Sequence, residues 1–254
     1  MISAEHPVRE REKRLLAELS RAVGDVFASV EGVRSATLSI AERVRPSGRQ
    51  LRRSDLLGLS AAVTDALGSH AGFVAGAGVV LAPDALADAQ LWIEWYWLNS
   101  NAAPERLEVD LDPNSAEFYD YTTTEWFREP QRTGEAHIAG PYVDYICTHE
   151  YTFTLSAPLI DRGRFLGIAG ADILASEVER LAVPGLARLP RVAAIASGSG
   201  RVISSNDPQL MPGMVLRPDR APGGMRPVVT ADDLPWRSRL PWVLLEGRAR
   251  VQTA

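Results

Sequence analysis

From Leu15 the apolar residues fall at Leu15, Leu16, Leu19, Val23, Val26, Phe27, Val30 and Val33, mostly three or four apart. That spacing keeps one face of a helix apolar. The rhythm loosens through Leu38, Ile40 and Val44 but stays helical as far as Pro46, so a single long helix is expected. Gly24 and Gly32 weaken it, each by about 1 kcal/mol relative to Ala, and a bend near Gly32 is expected. A second helix is predicted from Ser54, an N-cap residue with Asp55 in the first turn, to Leu67.

Beyond it the period shortens. Phe73–Leu81 reads as a strand thinned by glycines, and Gln90–Leu98 as a strand carrying three Trp and one Tyr. Asp112-Pro113 predicts a helix start, with the helix continuing to about Arg128 and stopping at Pro130. Three strands follow, over Ala136–Tyr145, Tyr151–Ile160 and Phe165–Ile173. The last two are joined by a glycine-bearing turn at 161–164. Ala175–Leu186 predicts an amphipathic helix broken near Pro184. Arg191–Ala196 and Arg201–Ser205 read as strands flanking Ser197-Gly198-Ser199-Gly200. After Asp207 periodicity fades, and Val243-Leu244-Leu245 offers one terminal strand or helical turn. Helices against a mostly antiparallel sheet make an α+β protein. The expected organisation is a helical segment over 1–70, a sheet domain over 71–208 and an extension of unassigned role over 209–254.

Composition narrows the function classes. The chain has 254 residues, 46% hydrophobic and 23% charged, enough to bury a real core. A net charge of −5 with interspersed signs points away from nucleic acid and anionic membranes. The single cysteine excludes an internal disulfide and a CxxC zinc pair, and the four histidines show no ligand spacing, so no metal or cofactor is expected. The charged N-terminus lacks the apolar core of a secretory signal, no run is long enough to span a membrane, and a cytoplasmic location is expected.

Most motifs have a plain explanation. Ser197–Gly200 is followed by a strand-like run and no lysine, which fits a hairpin better than a phosphate cradle. Gly167–Asp172 lacks the third glycine and the helix start of a dinucleotide site. Cys147 and His149 share a face if extended, but adjacency in sequence seldom builds a nucleophile–base pair, and an enzyme is not expected. The stretch YDYTTTEWF at 119–127 with YVDY at 142–145 is different. Seven residues separate Tyr119 from Trp126, which places them on one face if helical, and Tyr142 and Asp144 alternate to one side of a strand. Rings alone make a core. Asp144 and Asp172 do not, because an ionised buried acid needs a partner. Acids and ring faces together suit an ammonium group.

The runs FYDYTTTEWF, GPYVDY and TFTLSAPLIDRGRFLGIAGADI resemble Cache domains, the PAS-like extracellular sensor modules of bacterial chemoreceptors and histidine kinases. The resemblance covers roughly Val30 to Pro208. It implies a long N-terminal helix packed on a central antiparallel sheet, and a non-enzymatic ligand sensor. One subgroup binds amino acids, its arginine holding the carboxylate while a Tyr-x-Asp and a final Asp hold the amine. By this resemblance Tyr119, Trp126, Tyr142, Asp144 and Asp172 correspond to binding positions. Phe127 replaces a tyrosine, and Thr124 stands where the arginine would be. A related amine-binding version also drops that arginine, so the resemblance implies a sensor for a small primary amine. Arg128, four residues after Thr124, leaves open an amino-acid or GABA-like ligand, and an amine-processing enzyme using Cys147 and His149 is the other alternative. The helix is expected to carry a dimer or partner contact.

Overall fold

The computed structural model describes residues 5–70, 72–99, 101, 103–146, 149–216, 225–229 and 241–249. The chain folds as two compact units, one formed by Val26–Leu174 and the other by Met1–Asp25 with Ala175–Ala254. Helix α1 (Glu5–Val44) is continuous and contributes to both. No break occurs at Gly32, where the space beyond the missing Cβ is open, so the glycine costs helix propensity but no packing.

In the Val26–Leu174 unit the expected second helix splits. A 3₁₀ segment, Arg53–Gly58, precedes α2 (Leu59–Ser69). Asp55 accepts from the Arg52 backbone N–H, so Arg52 takes the cap position expected of Ser54. Six antiparallel strands form one sheet: β1 (Val74–Leu81), β2 (Trp92–Leu98), β3 (Pro104–Arg106), β4 (His137–Val143), β5 (Tyr151–Asp161) and β6 (Arg164–Leu174). Their order is β3-β2-β1-β6-β5-β4. The β5–β6 hairpin turns at Arg162 and Gly163, both with positive φ, as a tight two-residue hairpin requires.

Strand alternation gives the sheet two chemically distinct faces. Phe153, Leu155, Ala157, Val79 and Ala171 lie buried on one. On the other, paired rows bring Thr154 and Asp172 beside Gly76, and Trp95 beside Gly78.

The helix expected from Asp112 to Arg128 is not there. Side chains in that stretch bind nearby backbone N–H groups instead: Asp110 that of Asp112, Asp112 that of Asn114, Ser115 that of Glu117 and Asp120 that of Thr122. Such Asx and ST turns compete with helix formation. Helix α3 begins only at Glu125 and runs past Pro130 to Thr133, where Gly134 caps it in the left-handed conformation.

The second unit has its own sheet, of β7 (Arg191–Ser197), β8 (Val202–Ser205), β9 (Arg226–Val229) and β10 (Trp242–Ala249), ordered β8-β7-β10-β9. Helix α4 (Ala175–Ala187) runs through Pro184 without the expected break. Within this unit α1 lies against α4 closely enough that a Cβ at Gly185 would meet the Leu15 side chain at 2.6 Å. Residues 242–249, part of the segment left without a role by the sequence, supply an inner strand of this sheet, and the two units meet in sequence after Leu174. The cause is pairing: β10 bonds β7 along most of its length, an association invisible to local periodicity.

Candidate functional site

A cavity of about 40 Å³ opens on the glycine-rich face of the six-stranded sheet. A single water needs about 10–15 Å³ on the same measure, so there is room for a few heavy atoms. Tyr119, Trp126, Tyr142, Asp144 and Asp172 all line it, although they come from a turn, a helix and separate strands. Thr124 does not. Its hydroxyl donates to the Tyr121 carbonyl at 2.7 Å at the start of α3. Phe127 is fully buried one step away, edge-on to Tyr121 and to Phe165, where it steadies the helix that presents Trp126. Arg128 is exposed and outside the lining. His149 is exposed as well, and Cys147 lies outside the described residues.

Other lining residues carried no sequence signal for a site. Val80, Ile93 and Trp95 come from β1 and β2, and Leu107, Ile146 and Thr154 complete the wall. The alternation of β2 predicts that Ile93 and Trp95 share a face, but only the sheet order brings that face to Asp172.

The polar side of the cavity is a hydrogen-bonded chain. Tyr142 Oη lies 2.5 Å from Thr154 Oγ1, and Thr154 donates to Asp172 Oδ1 at 2.6 Å. Because each hydroxyl has one proton, Thr154's donation to the acid leaves Tyr142 as donor to Thr154. The chain therefore points donors toward an ionised Asp172. Asp172 is nonetheless pushed up to about 8, chiefly by burial, with the nearby Asp144 adding repulsion and the Thr154 bond partly opposing it. Burial also raises the Tyr142 and Tyr119 hydroxyls, with both aspartates contributing, so they stay neutral donors. Asp144 is buried too, and one of its oxygens accepts from the Ile146 backbone N–H at 3.0 Å. Among the described residues lining the cavity there is no Lys or Arg. No group of described residues is arranged to hold a metal ion.

This architecture, a long helix with an antiparallel sheet bearing a ligand-sized cavity on one face, is the PDC or Cache-like sensor fold of chemoreceptors. Residues 60–180 match the family described as methyl-accepting chemotaxis protein-like, first PDC sensor domain. Among solved structures the chain is similar to "Methyl-accepting Chemotaxis protein X", with a TM-score of 0.60 and 16% identity, covering 94% of this chain and 97% of that one. It is also similar to the ligand-binding domain of the Pseudomonas fluorescens chemoreceptor CtaA in complex with L-valine, with a TM-score of 0.60 and 11% identity over 97% of this chain and 98% of that one. A third likeness is to the Pseudomonas aeruginosa PAO1 amino acid chemoreceptor PctB in complex with L-Arg, with a TM-score of 0.60 and 14% identity, covering 97% and 95%. At these identities the likeness establishes the fold. No curated protein matches the chain. No helix among the described residues is long and apolar enough to cross a membrane.

Proposed function

We infer that this protein is a non-enzymatic sensor module whose cavity takes a small primary amine. The observation that carries the reading is the buried acid pair. Asp172 and Asp144 face a cavity with no basic side chain in its lining, and burial holds Asp172 at about 8. A ligand ammonium brings a positive charge and three donors to the buried Asp172, while Trp126, Tyr119 and Tyr142 line the same space. The sensor fold and the amino acids bound by CtaA and PctB support a ligand-sensing reading.

Those same neighbours favour an amino acid as a second reading. The cavity supports it less. A carboxylate placed here would meet two acids, and the position matching the family's arginine is Thr124, whose hydroxyl is occupied by the Tyr121 carbonyl. Arg128 points into solvent and gives no guanidinium to the lining. Pairing through α1, with a second copy or a signalling partner, is the proposed route for output.

Titration calorimetry and thermal shift with n-propylamine, ethanolamine, GABA, L-valine and L-arginine test the reading. A ligand at 100 times its dissociation constant raises stability by about 2.7 kcal/mol. The primary amines are expected to stabilise the protein and Asp172→Asn to lose at least tenfold in affinity, because it removes the charge while keeping the shape. Stabilisation by L-valine or L-arginine without any by the amines overturns the amine reading in favour of the amino-acid one.

A further inference from the structure

One row across the six-stranded sheet is nearly bare of side chains. Trp95 on β2 pairs with Gly78 on β1, Gly78 with Gly170 on β6, and Gly170 with Ser156 on β5. The β2 backbone closes over Gly78, but Gly76 on β1 and Gly170 on β6, on the same face, leave a trough across two strands. The Trp95 indole lies in it. A Cβ at Gly76 would meet the indole Nε1 at 2.6 Å, and a Cβ at Gly170 would meet Cη2, at the far end of the ring, at 3.3 Å. The ring thus crosses β1 and reaches β6, and Trp95 remains only 5% exposed. Ser156, next in the row, has a fully buried hydroxyl with no hydrogen-bond partner and is outside the cavity lining. Asp172, by contrast, sits one row away, with Oδ2 within 3.5 Å of the point where a Gly76 Cβ would stand. The floor beside the ammonium site is therefore a channel already filled by a side chain of the protein itself.

We propose that Trp95 is the residue that sets ligand length, by occupying the glycine trough that would otherwise receive the ligand's tail. This rests on the amine reading of the same cavity. With the indole in place, about 40 Å³ remains, enough for an ammonium and a short tail. Without it, the trough opens from Asp172 toward Ser156 and offers apolar floor to a longer chain. Glycine is required in the row because any side chain at 78 would collide with the β2 backbone, the Glu94 carbonyl lying 2.2 Å from the Cβ position.

The test is affinity across the linear amines from methylamine to hexylamine, measured by calorimetry on the full chain, for the natural protein, Trp95→Ala and Trp95→Phe. In the natural protein, methylenes beyond propylamine are expected to add nothing or to weaken binding. In Trp95→Ala each added methylene up to hexylamine is expected to tighten binding by about fourfold, the value of burying one methylene. Trp95→Phe, which keeps an aromatic core residue, is expected to show the same trend over a shorter range and keeps the comparison available if Trp95→Ala does not fold. Indole added to Trp95→Ala is expected to raise its melting temperature by refilling the trough, whatever the natural ligand is. Identical length profiles in the natural protein and the variants overturn the role of Trp95 while leaving the amine site standing. Failure of every amine to bind the natural protein, with indole still rescuing Trp95→Ala, instead overturns the amine reading and the length rule that rests on it.

Discussion

Asp172 is held near 8 because the protein buries a carboxyl beside another acid and gives it one hydroxyl donor. A cationic ligand binds the ionised form, so the empty protein must release a proton from this group on binding below that value. Affinity for n-propylamine is accordingly expected to fall by up to tenfold for each pH unit from 8 toward 6. Calorimetry at pH 7 in buffers of different ionisation enthalpy should register close to one proton released. An affinity flat over that range would mean that Asp172 is already ionised in the empty cavity. The sign is opposite for the unliganded fold: the raised carboxyl favours folding at low pH, and that contribution is lost as pH rises through about 8. At this scale the sequence was informative where chemistry is local to a side chain. Two acids among rings pointed, from side-chain chemistry alone, to the cation site proposed above. Thr154 and Trp95 were silent, because a threonine or tryptophan in a strand looks the same whether it faces a ligand or a core.

At the scale of elements, α1 carries a charged residue on its buried face. Glu12 is 4% exposed and shares a hydrogen bond with the Glu246 carboxyl on β10, whose Oε1 has no partner. Burial and this neighbour push Glu12 up to about 7, against the opposing pull of Arg9 and Arg191. The folded chain therefore holds a proton there that the unfolded chain gives up near 4.5. Stability from this group is full below that value and is lost as pH rises through about 7. Glu12→Gln is expected to flatten the melting temperature between pH 5 and 8 and to raise it at pH 8, as thermal denaturation across that range will show. Elements were legible where periodicity was undisturbed, as in α1, β5 and β6. Helix α3 was misplaced because four side chains upstream of it satisfy backbone N–H groups locally, and the Asp-Pro pair resembles a helix start with no helix behind it.

For the whole molecule, the decisive feature is that the sheet of the second unit takes an inner strand from the end of the chain. Deleting residues 242–254 removes β10 from between β7 and β9. Amides of β7 are expected to lose hydrogen-exchange protection by orders of magnitude, while those of β5 and β6 keep theirs. Protection of β7 that survives the deletion would show that β7 and β8 stand without it. By itself the sequence determined the α+β class, the long helix, the β5–β6 hairpin and the presence of paired acids among aromatic rings. These depend on spacing along the chain and on the side chain's own chemistry. Only the tertiary structure decided that residues 242–249 complete a sheet, that Thr124, Phe127 and Arg128 stand outside the cavity, and that Trp95 lies across glycines of two neighbouring strands. Each of these depends on which strands become neighbours, and pairing between segments far apart in sequence leaves no periodic trace in either of them.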